Sequence, residues 1–539
     1  MKHPWLLASV AAAALGSTIG GMTASLEGLA ASPRDPDIDT VPAGVHCTKI
    51  RKCDVHNVCV IVCERGTVAI APWADRALAL QRKLAYTHSL CDAQLPGTHN
   101  SAITIVDGYG VEDHVFQKLL AYIPWMPPHL SVHTNDQLFS LTDQLRLGAR
   151  LVELDVHWVD DDLRIAHCGG FESPMLDELI SWFNKIAKRL GIEIQWDSET
   201  VGCMPSLSSI PAHSQRPVQD ALDEIAAWLH APQNEHEFLL VYFDDETNLL
   251  KWHKVQRLLA SIKKSFPVAE ILRPDDTGGK PWPTFDTLLA QGKRVAFLTA
   301  SDYSPVGNEL LFHKMSLCSW QEPDLPFATY PDCRFAGSSV STLTSHGVLF
   351  RPETSEIQYG LLNAMGHLGP NLHLIDEAVL PKLLECNVNI PSPDNITPTR
   401  MEAMVWSFAP SEPQAVGASE CTAMLRPSAR WLSRPCDNST RMAMACKAVH
   451  NATWIVAPMT THAMDMDGSN LCPQGFNPTT PTNGYENRLL HDALVNSPAR
   501  LRVAGAWIPL SRALLTQVFG SQVSTNVYDR RVHSLVDSP

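Results

Sequence analysis

Between Arg150 and Trp158 the chain alternates two kinds of side chain: Val152, Leu154 and Val156 are aliphatic, whereas Glu153, Asp155 and His157 can carry charge. Successive side chains of a strand point to opposite faces, so the two carboxylates and the imidazole share one face. A strand within a parallel sheet is normally apolar on both faces, and ionisable groups there need a metal, a substrate or paired bases. Salt bridges to a neighbouring Arg or Lys are the plainer alternative. Compatible groups recur elsewhere. His99 and Asn100 sit in the loop Gly97-Thr98-His99-Asn100-Ser101 after a short strand at Gln94-Leu95-Pro96. His167 lies near the end of a strand expected over Asp162 to Cys168, and Gly169 and Gly170 after it leave room for a substrate. A lone histidine is usually structural, but strand ends are where barrel enzymes carry their chemistry. Asp394, in Ile390-Pro391-Ser392-Pro393-Asp394, has two readings of equal weight: it ends a last strand and orients His99, or it is an ordinary turn aspartate.

These candidates have to be positioned by regular elements. Asp136 to Leu147 carries Leu138, Leu141, Leu145 and Leu147 at near-helical spacing and is ended by Gly148. Pro217 to His230 reads as a second helix, with Val218, Leu222, Ile225 and Leu229 on one face. Glu237 to Phe243 and Arg294 to Thr299 read as strands. Strand, helix and strand in repetition predict a parallel sheet. Over roughly 300 residues a closed TIM-type (β/α)8 barrel is favoured over an open doubly wound sheet, because no Gly-rich turn follows the first strand and the polar candidates end several separate strands. Residues 301 to 385 yield no assignable strands.

Composition narrows the class. With 45% hydrophobic and 18% charged residues the 539-residue chain is globular rather than disordered. A formal net charge of −15 excludes a nucleic-acid partner and opposes steady adhesion to anionic lipid, while leaving room for a local basic patch. Lys2 and His3, the apolar run Trp5 to Met22 and the small residues Ala24, Ala30 and Ala31 read as a secretory signal over 1–31, with an uncleaved anchor as the alternative. No second apolar run of that length occurs, and with the polar stretch His533 to Pro539 no lipid-anchor tail is expected. Fourteen cysteines fit an oxidising compartment. Cys47, Cys53, Cys59 and Cys63 read as disulfide staples of an N-terminal cap, because they lack the CxxC pairs of a zinc knuckle. Sequons stand at Asn395, Asn438 and Asn451, and a strong Asn-Gly turn at Asn483-Gly484.

Leu95-Pro96-Gly97-Thr98-His99-Asn100-Ser101, Gly148-Ala149-Arg150-Leu151-Val152-Glu153-Leu154-Asp155 and Ile165-Ala166-His167 together resemble the catalytic X region of phosphatidylinositol-specific phospholipase C, over about residues 90 to 250. The run Glu237 to Asp244 is similar to the family strand that ends in a metal-binding acid. The resemblance implies His99 and His167 as the catalytic histidines, and Asn100, Glu153, Asp155 and Asp244 as ligands of calcium, with another divalent ion as the alternative. The family's metal-free branch carries an arginine two residues after the aspartate; here that position is His157, which favours the metal-dependent branch. Four oxygen ligands suit calcium better than zinc. The implied reaction is attack of a neighbouring hydroxyl on an inositol-type phosphodiester, giving a cyclic phosphate, with His99 or a carboxylate as base and His167 as acid. The implied substrate is a phosphodiester lipid or its headgroup, with transient contact at a membrane surface. A glycerophosphodiester phosphodiesterase shares the Glu-x-Asp pair but opens with a His-Arg-Gly strand end, where this chain has Thr98-His99-Asn100. A non-catalytic binding protein on the same barrel is the third reading. Trp406 to Pro413, with Cys421, Trp431, Cys436 and Cys446, resembles the end of a C-type lectin domain; Leu432 and Ser433 lack its carboxylate, so a disulfide-pinned strap is expected there instead of a sugar site. The expected organisation is a signal (1–31), a linker and Cys-rich cap (32–84), the barrel (85–410), the strap (411–450) and an extension (451–539).

Overall fold

The computed structural model describes residues 37–53, 59–111, 133–166, 210–245, 248–278, 281–323, 325–345, 347–354, 374–413, 420–436, 442–458, 471–498 and 503–510, with isolated positions 203, 206, 356, 514 and 518. The expected signal and the sequon at Asn438 lie outside these residues. Near the N-terminus, β1 (Ile38–Asp39), β2 (Lys49–Cys53) and β3 (Cys59–Cys63) form a small sheet in the order β1-β3-β2. Disulfides Cys47–Cys63 and Cys53–Cys59 staple it, as the cysteine spacing predicts. Its Val60 and Val62 pack on Ile105, Val106 and Val111, which ties the cap to the loop that follows His99.

The central body is a parallel sheet. Its strands are β4 (Gly97–Thr98), β5 (Leu151–Val159), β7 (Leu239–Asp244), β9 (Val295–Thr299) and β10 (Leu311–His313), in the order β10-β9-β7-β5-β4. Two shorter strands lie off this path: β6 (Asp162–Ile165) on β5 and β8 (Ile271–Leu272) on β9. Alternation along β5 and its neighbours divides two cores. Val152, Leu154, Val241, Phe243 and Phe297 pack with the helices Val218–Leu229 and Val255–Ser265 on one side. Leu151, Leu240 and Leu298 point to the other side.

The parallel pattern continues in later segments of the chain. β11 (Ser319–Gln321) pairs in parallel with β14 (Val348–Phe350), and between them β12 (Phe327–Ala328) and β13 (Arg334–Phe335) form an antiparallel pair. Residues 389–393 run between β14 and β4: Ile390 N donates to Phe350 O and Ser392 N to Pro352 O, each at 3.0 Å, while Leu95 N donates to Asn389 O at 2.9 Å and Gly97 N to Pro391 O at 3.0 Å. One core cluster therefore takes Leu95, Leu151, Leu240, Leu298, Phe312, Trp320, Leu349 and Ile390 from eight successive segments. Disulfides Cys91–Cys318 and Cys333–Cys386 join distant parts of this body.

Three local expectations change. The helix anticipated from Asp136 begins at Leu141, because Ser140 caps it by accepting from Asp143 N at 3.1 Å. Asp136 is thereby released to a buried position beside Asn100. The strand anticipated over Asp162 to Cys168 is β6, and it pairs antiparallel with β5. Asp160 (φ 51°) and Asp161 (φ 57°) form the left-handed two-residue turn of that hairpin. The Asn483-Gly484 pair starts the helix Gly484–Val495, where Asn483 Oδ1 accepts from Glu486 N at 2.8 Å. Gly484 is required there, since a Cβ would come within 2.9 Å of the Leu384 backbone.

The C-terminal part is a six-stranded sheet of β15 (Glu420–Leu425), β16 (Trp431–Pro435), β17 (Met442–Ala448), β18 (Trp454–Pro458), β19 (Phe476–Pro478) and β20 (Gly505–Ile508). The boundary expected at residue 450 runs through it, because β17 pairs with β18, β19 and β20. Disulfides Cys421–Cys436 and Cys446–Cys472 pin it, and Trp431, fully buried, packs edge-on against Trp406 and Phe408 at its junction with the central body. Among the described residues no cysteine is free, and no helix is long and apolar enough to cross a membrane. Both features are compatible with an extracellular protein.

Candidate functional site

The C-terminal ends of β4, β5 and β7 bring the expected groups to one end of the parallel sheet. β5 and β7 are in register, with Glu153 opposite Tyr242 and Asp155 opposite Asp244. Glu153, Asp155 and His157 are all buried on the face expected for them. His99 and Asn100 leave β4 beside them. Asn100 takes a left-handed φ of 42°, one of the few such conformations Asn tolerates, and this directs its backbone N–H to Glu153 Oε2 at 3.1 Å. Its side-chain Nδ2 donates to Asp136 Oδ2 at 3.2 Å. Ser101 locks the same junction, its Oγ accepting from Glu153 N at 2.8 Å.

His99 is oriented from the opposite side. Its Nδ1–H donates to Asp394 Oδ1 at 2.6 Å, and the fully buried Asp394 accepts on Oδ2 from Glu356 N at 2.7 Å. Of the two readings of Asp394, the structure selects the one that orients His99. The other ring nitrogen, Nε2, lies 3.9 Å from Glu353 Oε1. Asn395, next in the chain, spends its amide on Glu356, donating to Oε2 at 2.7 Å, so a glycan at that sequon would disrupt the support of Asp394. Asn451 is exposed and keeps an accessible sequon.

His167 lies outside the described residues. Its neighbour Ala166 is described, and Ala166 N donates to Asp155 O at 3.1 Å.

Several members of the site carry no signal that the sequence reading used. Arg351 follows β14 and is completely buried, with Nη2 on Glu153 Oε2 and Nη1 on both Glu353 and Glu322, the latter at 3.2 Å. Its guanidinium also lies 5.0 Å over the Tyr242 ring. Lys314, after β10, donates to Tyr242 Oη and to Glu322 Oε2, each at 2.7 Å. The signal that could have found Arg351 and Glu353 is their alternation around Pro352 after the apolar run Val348-Leu349-Phe350, the same pattern that betrays β5.

The electrostatics follow from packing carboxylates where water is scarce. Burial pushes the Glu153 carboxyl up to about 7 against the pull of Arg351, with Glu353 adding to the rise. Burial, then the charges of Glu153, Asp244 and Asp136, push Asp155 well above the carboxylate range. Burial and Glu353 raise Asp244 as well. Burial alone would lower the His99 imidazole, but Asp394, Glu353 and Glu153 outweigh it and hold the ring well above its ordinary value. Asp155 Oδ2 is buried and meets no hydrogen-bond donor among the described residues. An orphaned buried carboxylate oxygen within a ring of acids is what a hard divalent cation satisfies. Among the described residues, candidate ligand atoms come within 4.8 Å of one another in two groups, His99, Glu153 and Glu353, and His99, Asp136 and Asp394. The expected acids Asp155 and Asp244 adjoin these groups without belonging to them.

A buried histidine held by a carboxylate thus stands beside a group of buried acids at the ends of parallel strands on an α/β scaffold. No family model matches the chain. It is similar to two curated sequences from two strains of Mycobacterium tuberculosis, each described as an uncharacterized protein. Each is 24% identical over 452 residues, covering 81% of this chain and 79% of the mycobacterial one. The likeness is therefore longer than the stretch 85–410 and reaches beyond the parallel sheet.

Proposed function

We propose that the protein is a secreted phosphoric diester hydrolase, similar to phosphatidylinositol-specific phospholipase C, that uses histidine acid–base chemistry assisted by a divalent cation, calcium by preference. The observation that carries this reading is the convergence of the His99–Asp394 pair with Glu153, Asp155 and Asp244 at one end of parallel strands. The eight parallel segments from β4 to residues 389–393, contributing to one interior cluster, support a closed TIM-type barrel around that core. The disulfides and the resemblance of residues 1–31 to a secretory signal support export.

On this reading Asp394 fixes His99 with Nδ1 protonated, so that Nε2 faces the substrate. His99 Nε2 takes the proton from the hydroxyl that neighbours the phosphodiester. That oxygen bonds to phosphorus as the bond to the leaving alkoxide breaks, and His167 returns a proton to the alkoxide, giving a cyclic phosphate. Asn100, Glu153, Asp155 and Asp244 would hold the cation, with Asp155 Oδ2 supplying an otherwise unused oxygen. A bound divalent ion would neutralise charge gathering on the phosphoryl oxygens and relieve the carboxylate field that keeps His99 protonated. The substrate is an inositol-type phosphodiester, as a lipid met transiently at a membrane surface or as its headgroup.

The test is phosphodiesterase activity of the purified protein on inositol phosphodiesters, with and without a chelator. A transient cyclic phosphate that disappears in the His99→Ala variant is the expected result. Near-normal turnover by folded His99→Ala and His167→Ala variants on every phosphodiester tried would overturn the reading.

A further inference from the structure

We infer that Arg351 is a resident cation that competes with a divalent ion for Glu153, so that this carboxylate is held either by the guanidinium or by the metal. The inference rests on the metal-assisted reading above and adds a component to it.

Arg351 is 0% exposed and its guanidinium cannot lose its proton, so a permanent charge is built into the floor of the site. Glu153 Oε2 is already shared between Arg351 Nη2 and the Asn100 N–H, which leaves Oε1 as that residue's remaining ligand atom. An ion bound between Glu153 and Asp155 would stand close to the guanidinium, and two cations in a water-poor site repel strongly.

The surroundings of Arg351 provide for release without expulsion. Nη1 already binds Glu353 and Glu322, the ring of Tyr242 underlies the guanidinium, and Nε has no acceptor among the described residues. A small shift toward the two outer acids therefore frees Glu153 while Arg351 stays paired and buried. Lys314 bounds that outer side through Glu322 and Tyr242, so Glu322, one of the two acids that would receive Arg351, is itself fixed. Arg351 thus acts as a positioning residue: it holds Glu153 in place when no ion is bound and sets the affinity for one.

Calorimetric titration of the full chain with calcium chloride tests this, using Arg351→Gln, Lys314→Gln and Glu153→Gln. Lys314→Gln removes one positive charge from the same rim without freeing Glu153, and so measures the general electrostatic gain. Arg351→Gln is expected to bind calcium about tenfold more tightly than the wild type, and more tightly than Lys314→Gln, the worth of one charge-assisted hydrogen bond released. Glu153→Gln is expected to lose binding by at least that factor. Equal affinities for Arg351→Gln and Lys314→Gln, or weaker binding by Arg351→Gln, would overturn the competition. If circular dichroism shows that Arg351→Gln does not fold, Arg351→Lys carries the test. Its single ammonium cannot span the three carboxylates, so binding tighter than wild type supports the inference and unchanged binding overturns it. Absence of calcium binding in both wild type and Arg351→Gln would also overturn it. The His99→Ala assay would still decide the phosphodiesterase reading separately.

Discussion

At the scale of residues, the most informative contact is the one between His99 and Asp394. A 2.6 Å bond to a fully buried carboxylate fixes both the tautomer and the ring plane of the imidazole. Asp394→Asn keeps the shape but supplies a donor or a weaker acceptor in its place. Turnover is expected to fall by roughly 10²–10⁴, with KM nearly unchanged, because Asp394 is fully buried and acts through His99. Steady-state kinetics separate the two constants, and a rise in KM alone would place Asp394 in substrate binding instead. His99 itself was legible from its loop, as were Glu153 and Asp155 from their alternation. Arg351 was not: nothing in a stretch of short strands says that Arg351 meets a carboxylate 198 positions away.

The elements explain why so few residues specify the site. β4 is only two residues long, yet it sits between β5 and residues 389–393 and delivers His99 to the rim. Gly97 makes that close approach possible, since a Cβ there would come 2.4 Å from Ser392 Oγ and 2.7 Å from Ile390 Cγ2. Gly97→Ala is accordingly expected to cost about 1–3 kcal/mol, through a forced shift of the two segments that position His99 and Asp394. Denaturant unfolding gives that loss, and a stability within error of wild type would show that the ladder is looser than the geometry states. The hairpin β5–β6 shows the limit of strand patterning. Apolar alternation over Asp162 to Ile165 is equally good for a parallel or an antiparallel partner, and the choice rests on the left-handed pair Asp160-Asp161. The same holds for Asn483-Gly484, where a turn signal proves to be a helix cap.

For the molecule as a whole, the buried acids make stability a function of pH. Glu153 titrates near 4.5 when exposed and at about 7 in the folded chain, and Asp155 and His99 are also raised. The folded protein therefore holds more protons than the unfolded chain across this range. Its stability is full below about pH 4.5 for the Glu153 contribution and is lost as pH rises toward 7. In chelator, the melting temperature is expected to decline between pH 5 and pH 7.5, and calcium should flatten or reverse the decline. Thermal melts at several pH values, with and without calcium, check this; a melting temperature that rises with pH in chelator would contradict the protonation of these acids. The disulfide Cys91–Cys318 closes a separation of 227 residues between the segment before β4 and the segment before β11. Replacing both cysteines by serine is expected to lower stability by about 2–4 kcal/mol, read from denaturant unfolding, and no loss would mean that the strands alone fix this closure.

The sequence by itself determined the alternation of strands and helices, the disulfide-rich cap, and the common strand face of Glu153 and Asp155, while the grouping of His99, Asn100 and Asp244 with them was what the family resemblance implied. Those features are local, because periodicity, spacing and residue type are written within a few positions of each other. Only the tertiary structure decided that Asp394 holds His99, that Arg351 occupies Glu153, and that strands on both sides of residue 450 share a sheet. These pairings join positions far apart along the chain, and each depends on which buried charge finds its partner once water is removed.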